Sequence, residues 1–447
     1  MFYLINMSKI CLALLIICFQ INLISSDSKF KVPFKPFSTY HLFPNHTEPI
    51  HPIAKKCMSQ IVVELSMGTP AQKLNCSLNL ITFHSFFLSH RIPDINITSF
   101  YNKSLSSTYE CSKELEEYKN EDFDQAEIFS DKVQIFSDDG EKMLEDKFNF
   151  FLIDNLGENI LNEFYTPGII GLKLGVHNHA KYPKDLNFPY QIKSKDLSDN
   201  YIFSFDFNKK NNTNPEEGYF VVGKELPEPS KMAKLSIHSN QWSLNFGKIY
   251  YGNTEFEFEE QALIETEYGL TVGTVEYEEI IQEFFNKQKN CYLGKIKMGY
   301  ESYNYFYCDE DFDETKMENL TFILSVQRTD INFTFTGKEL FFTEGGKKYF
   351  KILFFAYPNY IWYFGRDFLK KYRLYFDIEG KAIYIHYDRS FSFSSLIKKK
   401  SFWTVILIVL IMISLIFYLM PFLRKDKRKK RKNELDEELN QEDLKDV

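Results

Sequence analysis

Few residues in this 447-residue chain carry the types and spacing that chemistry needs. There is no Gly-x-Ser-x-Gly nucleophile elbow, no His-Glu-x-x-His and no glycine-rich phosphate loop. The histidines are scattered, and no cysteines have the spacing of a zinc site. No metal or cofactor is therefore expected. Acids are plentiful, at 61 Asp plus Glu, so a pair of carboxylates acting as general acid and base is open on count alone. Two stretches have an apolar lead-in to an Asn or a Glu. One is "GTPAQKLNCSLNLITF" (Gly68–Phe83), which reaches Asn79, Leu80, Ile81 and Thr82; the other is "QALIETEYGLTVG" (Gln261–Gly273), which reaches Glu265, Thr266 and Glu267.

The elements that must position these residues read as strands. Short runs rich in Val, Ile, Phe and Tyr alternate with polar turns, among them "SQIVVELSMG", "DKFNFFLID", "NYIFSFDF" and "LYFDIEGKAIYIHY". Thr274–Gln288 has the best helical period, with Tyr277, Ile280, Ile281, Phe284 and Phe285 on one face. The composition, 44 % hydrophobic and 17 % aromatic, is that of a globular chain. A net charge of −8 does not point to nucleic acid.

The chain ends bound the compartment. Residues 1–26 have one Lys, an apolar run from Ile10 to Ile24 and small residues at Ser25 and Ser26, the pattern of a secretory signal peptide; an uncleaved anchor is the alternative. Residues 27–52 hold several prolines and little periodicity and read as a leader or linker. Phe402–Leu423 carries no charge and is long enough to span a bilayer, and "RKDKRKKRK" follows it. The expected protein is single-pass type I, anchored through that helix. Its ectodomain faces the secretory lumen or the cell exterior, and its basic, then acidic, tail (424–447) is cytosolic. The ectodomain is expected to be monomeric. Glycosylation sequons stand at Asn45, Asn96, Asn102, Asn211, Asn319 and Asn332, and at Asn75 within a strand-like run. Five cysteines follow the signal segment (Cys57, Cys76, Cys111, Cys291 and Cys308), and an odd number leaves at least one unpaired.

Taken in order, several segments resemble the pepsin family of aspartic proteases. "VVELSMGTPAQKL" is similar to that family's first strand and "IGTPPQ" turn, and "FYNKSLSSTYEC" to its "F-P-SSTY" stretch. "GIIGLKLG" is similar to "GILGLG", and "YIWYFGRDFLKKYRLYFDIEGKAIYIH" to "WILGD-FLR-YY-VFD----IGFA". The resemblance runs from about residue 59 to 387. It implies a mostly β, bilobal fold with a central cleft, an N-terminal lobe at 53–205 and a C-terminal lobe at 206–392. It also implies a Cys291–Cys308 disulfide. Among the other three cysteines our reading favours Cys57–Cys111, with Cys76 free and buried.

Proteolysis of that family needs two carboxylates sharing a proton, one ionised to take a proton from water and the other protonated to donate to the peptide carbonyl. Each family loop supplies one in an Asp-Thr-Gly-Ser/Thr sequence, and the Thr side chains brace the loops. Here Asn79 stands at the first Asp, with Leu80, Ile81 and Thr82 after it. Glu265 stands at the second, followed by Thr266 and Glu267, with Gly269 at the Ser. No Asp-Thr-Gly or Asp-Ser-Gly occurs anywhere, and "SDDGE" (Ser137–Glu141) lacks the apolar lead-in. Asp367 and Asp377 fall where the family has structural acids. Tyr118 is the candidate for the flap tyrosine, without the flap's glycines. Three readings follow. The first is a non-catalytic family member whose cleft takes a polypeptide or serves as a scaffold. The second is an active endopeptidase with a non-standard dyad. The third is a β-rich surface adhesin or antigen that is only superficially similar.

Overall fold

The structure is a computed structural model. It describes residues 30–38, 51–90, 99–113, 123–137, 142–156, 166–175, 186–198, 200–207, 216–223, 226, 232–256, 260–298, 301–326 and 329–386. The signal segment, Phe402–Leu423, the tail, Tyr118 and the sequons at Asn45, Asn96 and Asn211 lie outside these. Among the described residues no helix is long and apolar enough to cross a membrane.

Strands dominate, in sheets of thirteen, nine and four among the described residues. The same plan is built twice. In the first half Gln72–Asn79 runs parallel to Gly168–Gly171, that strand is antiparallel to Phe86–Leu88, and Phe86–Leu88 is parallel to Lys142–Leu156. In the second half Glu260–Ile264 runs parallel to Trp362–Phe364, which is antiparallel to Thr271–Gly273, itself parallel to Ile352–Phe355. Strands covered on both faces need apolar residues at successive positions, not alternate ones, and Gly168–Gly171 and Ile352–Phe355 are buried throughout. A short helix follows each four-strand set, Phe188–Ser194 in the first half and Arg366–Lys371 in the second.

The halves join edge to edge. The hairpin of Ile202–Phe207 and Gly218–Val222 matches that of Leu374–Asp377 and Ala382–His386, and the two pair where Phe203 faces Phe376. Those rings stack at 5.0 Å, with Trp242 edge-on to both. The Trp242 indole N–H donates to the carbonyl of Leu172 (2.7 Å), so a second-half side chain is tied to the backbone beside Asn79. Its nearly complete burial is worth about 2–3 kcal/mol. The helix predicted at Thr274–Gln288 is observed at Val275–Asn286, burying Tyr277, Ile281 and Phe285.

Three expectations change. The segment read as leader or linker contains a strand, Phe30–Ser38, set between Gly218–Val222 and Ser59–Met67. The lobe boundary expected at 205/206 falls inside Ile202–Phe207, whose hairpin partner is Gly218–Val222; the change of half comes between Val222 and Met232, where the strand Met232–Ser236 pairs with Ala382–His386. Cys57 and Cys111 are not bonded to each other. Cys57 sits on the helix Pro52–Cys57, buried with Leu270 and Tyr303 of the second half, while Cys111 is exposed on a first-half strand, Glu110–Lys113. Cys76 is free and buried.

The Cys291–Cys308 disulfide is present, joining facing residues of an antiparallel pair 17 positions apart. Replacing both by Ala is expected to lower stability by about 3 kcal/mol through loop-closure entropy, read as a shift in urea midpoint.

Candidate active site

Each half delivers one loop to a common point. Leu74, Cys76 and Leu78 are buried along Gln72–Asn79 and carry Asn79 to 2 % exposure at the strand end. There both ends of its side-chain amide are engaged. Asn79 Oδ1 accepts from the backbone N–H groups of Ile81 and Thr82, both at 2.7 Å, which turns the chain. Its Nδ2 donates to the Glu267 carboxylate of the opposite loop.

Glu260–Ile264 carries Glu265 in the same way, its N–H donating to the Phe364 carbonyl at 3.0 Å. Glu265 is 6 % exposed, and burial, reinforced by the charge of Glu267, pushes its pKa up to about 8. Thr266 Oγ1 donates across to the carbonyl of Leu78. The position that would return this brace is Leu80, buried and without a donor. The threonine brace therefore runs one way only, alongside the Asn79–Glu267 bond.

Behind the loops, the helices that follow the two strand sets do equivalent work. In the first half Asn187, the cap of Phe188–Ser194, donates from Nδ2 to the carbonyls of Phe83 (3.0 Å) and Gly171 (3.3 Å). In the second half Arg366, with no exposed surface, donates from Nη1 to the carbonyls of Thr266 (3.1 Å) and Glu267 (3.4 Å). Its Nη2 donates to the carbonyl of Lys56 (3.2 Å), and it pairs with Glu216 at 3.7 Å. Close backbone approach recurs too: a Cβ on Gly171 would lie 2.5 Å from the Phe83 carbonyl oxygen, and one on Gly365 2.3 Å from that of Leu270.

Gly269 has a reason of its own to differ from the family's Ser. Its Cβ would lie 1.9 Å from the Lys56 carbonyl oxygen, because the helix Pro52–Cys57 ends against this loop. Gly269→Ala is expected to cost about 3 kcal/mol by overpacking. Gly247→Ala, where nothing lies within 4 Å, serves as the control in the same urea titration.

Chemically, Asn79 cannot ionise, and both of its acceptor positions are taken by backbone N–H groups. Glu265 is neutral through the acidic range. Among the described residues no group of three His, Cys, Asp or Glu could hold a metal ion.

Asn79 reaches Glu267 through Nδ2 and holds the N–H groups of Ile81 and Thr82 through Oδ1, while Thr266 reaches Leu78 and Glu265 lies beside Glu267. Asp367 and Asp377 do not join them. Asp367 pairs with Lys370 (3.0 Å) and Lys351 (3.5 Å), and Asp377 Oδ1 accepts from the N–H of Gly380 to close a hairpin. Of the described sequons, Asn319 and Asn332 are exposed; Asn102 is half-buried, its Oδ1 accepting from the N–H of Ser104. Sequence reasoning missed Arg366, Asn187 and Trp242. An Arg inside the apolar run "WYFGRDFL" was the available signal.

No curated protein matches the chain. The family model for the eukaryotic aspartyl protease, in contrast, matches residues 60–386, from the strand before the first loop to the strand after the second. That is well over half of the sequence, and the chain belongs to the eukaryotic aspartyl protease family.

Proposed function

We propose that this protein is a family member that keeps the two-loop cleft and has lost peptide hydrolysis, its cleft holding a polypeptide without cutting it. In this reading it is a glycosylated ectodomain anchored by Phe402–Leu423, with the basic tail in the cytosol. One observation carries the loss of hydrolysis. Asn79 spends its amide on the turn and on Glu267, so the first dyad position offers no base at any pH. Glu265, neutral below about 8, cannot replace it where this family's chemistry operates. The purified protein should leave a fluorogenic peptide library intact from about pH 3 to about pH 6. Pepstatin-sensitive turnover in that window would sink the proposal.

A second reading is favoured by the pairing of Glu265 with Glu267. The charge of Glu267 helps raise Glu265, and two neighbouring acids can share one proton, as a catalytic pair must. It describes an active endopeptidase, and it requires turnover that Glu265→Gln abolishes. The reading as an unrelated β-rich adhesin is set aside by family membership.

A further inference from the structure

The loops hold a polar group that the proposed function leaves idle. Glu265 is 6 % exposed, and among the described residues none hydrogen-bonds its carboxyl or forms an ion pair with it. Its electrostatic neighbours are the Glu267 carboxyl and the rings of Tyr268 and Tyr363. The one guanidinium behind the loop, that of Arg366, is directed to three backbone carbonyls and to Glu216.

An aromatic surface leads away from this point. The rings of Tyr268 and Tyr363 lie 5.9 Å apart, Tyr363 and Phe355 lie 5.8 Å apart, and Phe355 stacks on Tyr357 at 4.8 Å. Tyr357 is 50 % exposed, so the row runs from the paired acids to open solvent. Carboxylates attract a cation by charge, ring faces attract it through their quadrupole, and the rings also cover an aliphatic stem. An anionic group would meet the charge of Glu267 at the inner end.

We propose that the inner end of this row is a cation-recognition site, taking the guanidinium or ammonium of an Arg or Lys side chain on a bound polypeptide. The inference rests on the polypeptide-binding reading above. Arrival of the cation favours the ionised form of Glu265 and so releases the proton that burial and Glu267 hold there. The titratable and charged groups around it are Glu267 and Tyr268 from its own loop, Tyr363 from the parallel strand and Arg366 from the helix behind.

The test pans the full-length protein against a random peptide library. Selected peptides are then remade with citrulline in place of Arg and norleucine in place of Lys. We expect the selected peptides to carry Arg or Lys, and the neutral versions to bind about tenfold more weakly or worse. The Arg–citrulline difference should collapse in Glu265→Gln, with a melting curve reporting that the variant is folded. Tyr363→Leu, which removes a ring at the inner end, should narrow the same difference and stands in if Glu265→Gln does not fold. Selected peptides without basic residues, or an Arg–citrulline difference that survives these changes, overturn the cation site and leave polypeptide binding standing. Selection of no peptide at all overturns polypeptide binding itself, and the cation site with it.

Discussion

In urea titrations from about pH 5 to about pH 8, Glu265→Gln is expected to lose most of the downward slope in stability that the wild type shows. The folded protein holds a proton on Glu265 up to about 8, whereas the unfolded chain releases it near the ordinary 4.5. Between those values the folded state binds more protons than the unfolded state, so stability falls as pH rises. The contribution is complete below 4.5 and is lost as pH passes through about 8. Each unit of difference corresponds to about 1.4 kcal/mol, which makes the total about 5 kcal/mol. Little solvent screening reduces it at 6 % exposure. Gln keeps the shape of the side chain and carries no charge at any pH. The variant should therefore match the wild type near pH 5 and exceed it by a few kcal/mol near pH 8. Parallel slopes for the two proteins would show that the buried acid is not what sets the profile.

Glu265 and Asn79 were legible in the sequence because each lies in a short local stretch that resembles one of the family's two loops. The framework was legible for the same reason: a doubly covered strand such as "GIIG" announces itself locally. What stayed hidden depends on partners far away in the chain. Arg366 donates to Lys56, 310 positions earlier, and pairs with Glu216 on a hairpin of the other half. No local pattern links those three. Gly269 stands where the family has Ser, and the close approach of the Lys56 carbonyl, invisible in the local sequence, gives it a cause. Phe30–Ser38 read as a linker because Pro33 and Pro36 remove ladder donors, yet it is held between strands that begin at Ser59 and Gly218. The expected Cys57–Cys111 bond failed on the same ground. Spacing could not reveal that Cys57 is buried against Leu270 while Cys111 lies on an exposed strand of the first half.

Putting both acids back, as Asn79→Asp with Glu265→Asp, is expected to yield no pepstatin-sensitive turnover and to destabilise the protein at neutral pH. Asn79 now donates an N–H to Glu267; a carboxylate there has nothing to donate and meets like charge at hydrogen-bond range. The N–H groups of Ile81 and Thr82 would favour its ionised form and so sharpen the conflict. An uncompensated charge at 2 % exposure should cost about 3 kcal/mol, with the deficit shrinking once the pair can take up a proton in acid. The shorter acid at position 265 has its own difficulty. It retreats along a strand end whose threonine brace, Thr266 to Leu78, is not returned by Leu80. A displacement of about 1 Å can cost about a hundredfold in rate, and a loosely held pair incurs it twice. Competence therefore needs the neighbours as well. Adding Leu80→Thr, Ile81→Gly and Glu267→Gly to the double variant should raise turnover above it, because those changes supply the missing brace, restore the family's glycines and remove the competing carboxylate. If the double variant alone cleaves peptide, the neighbours are not what silences this site.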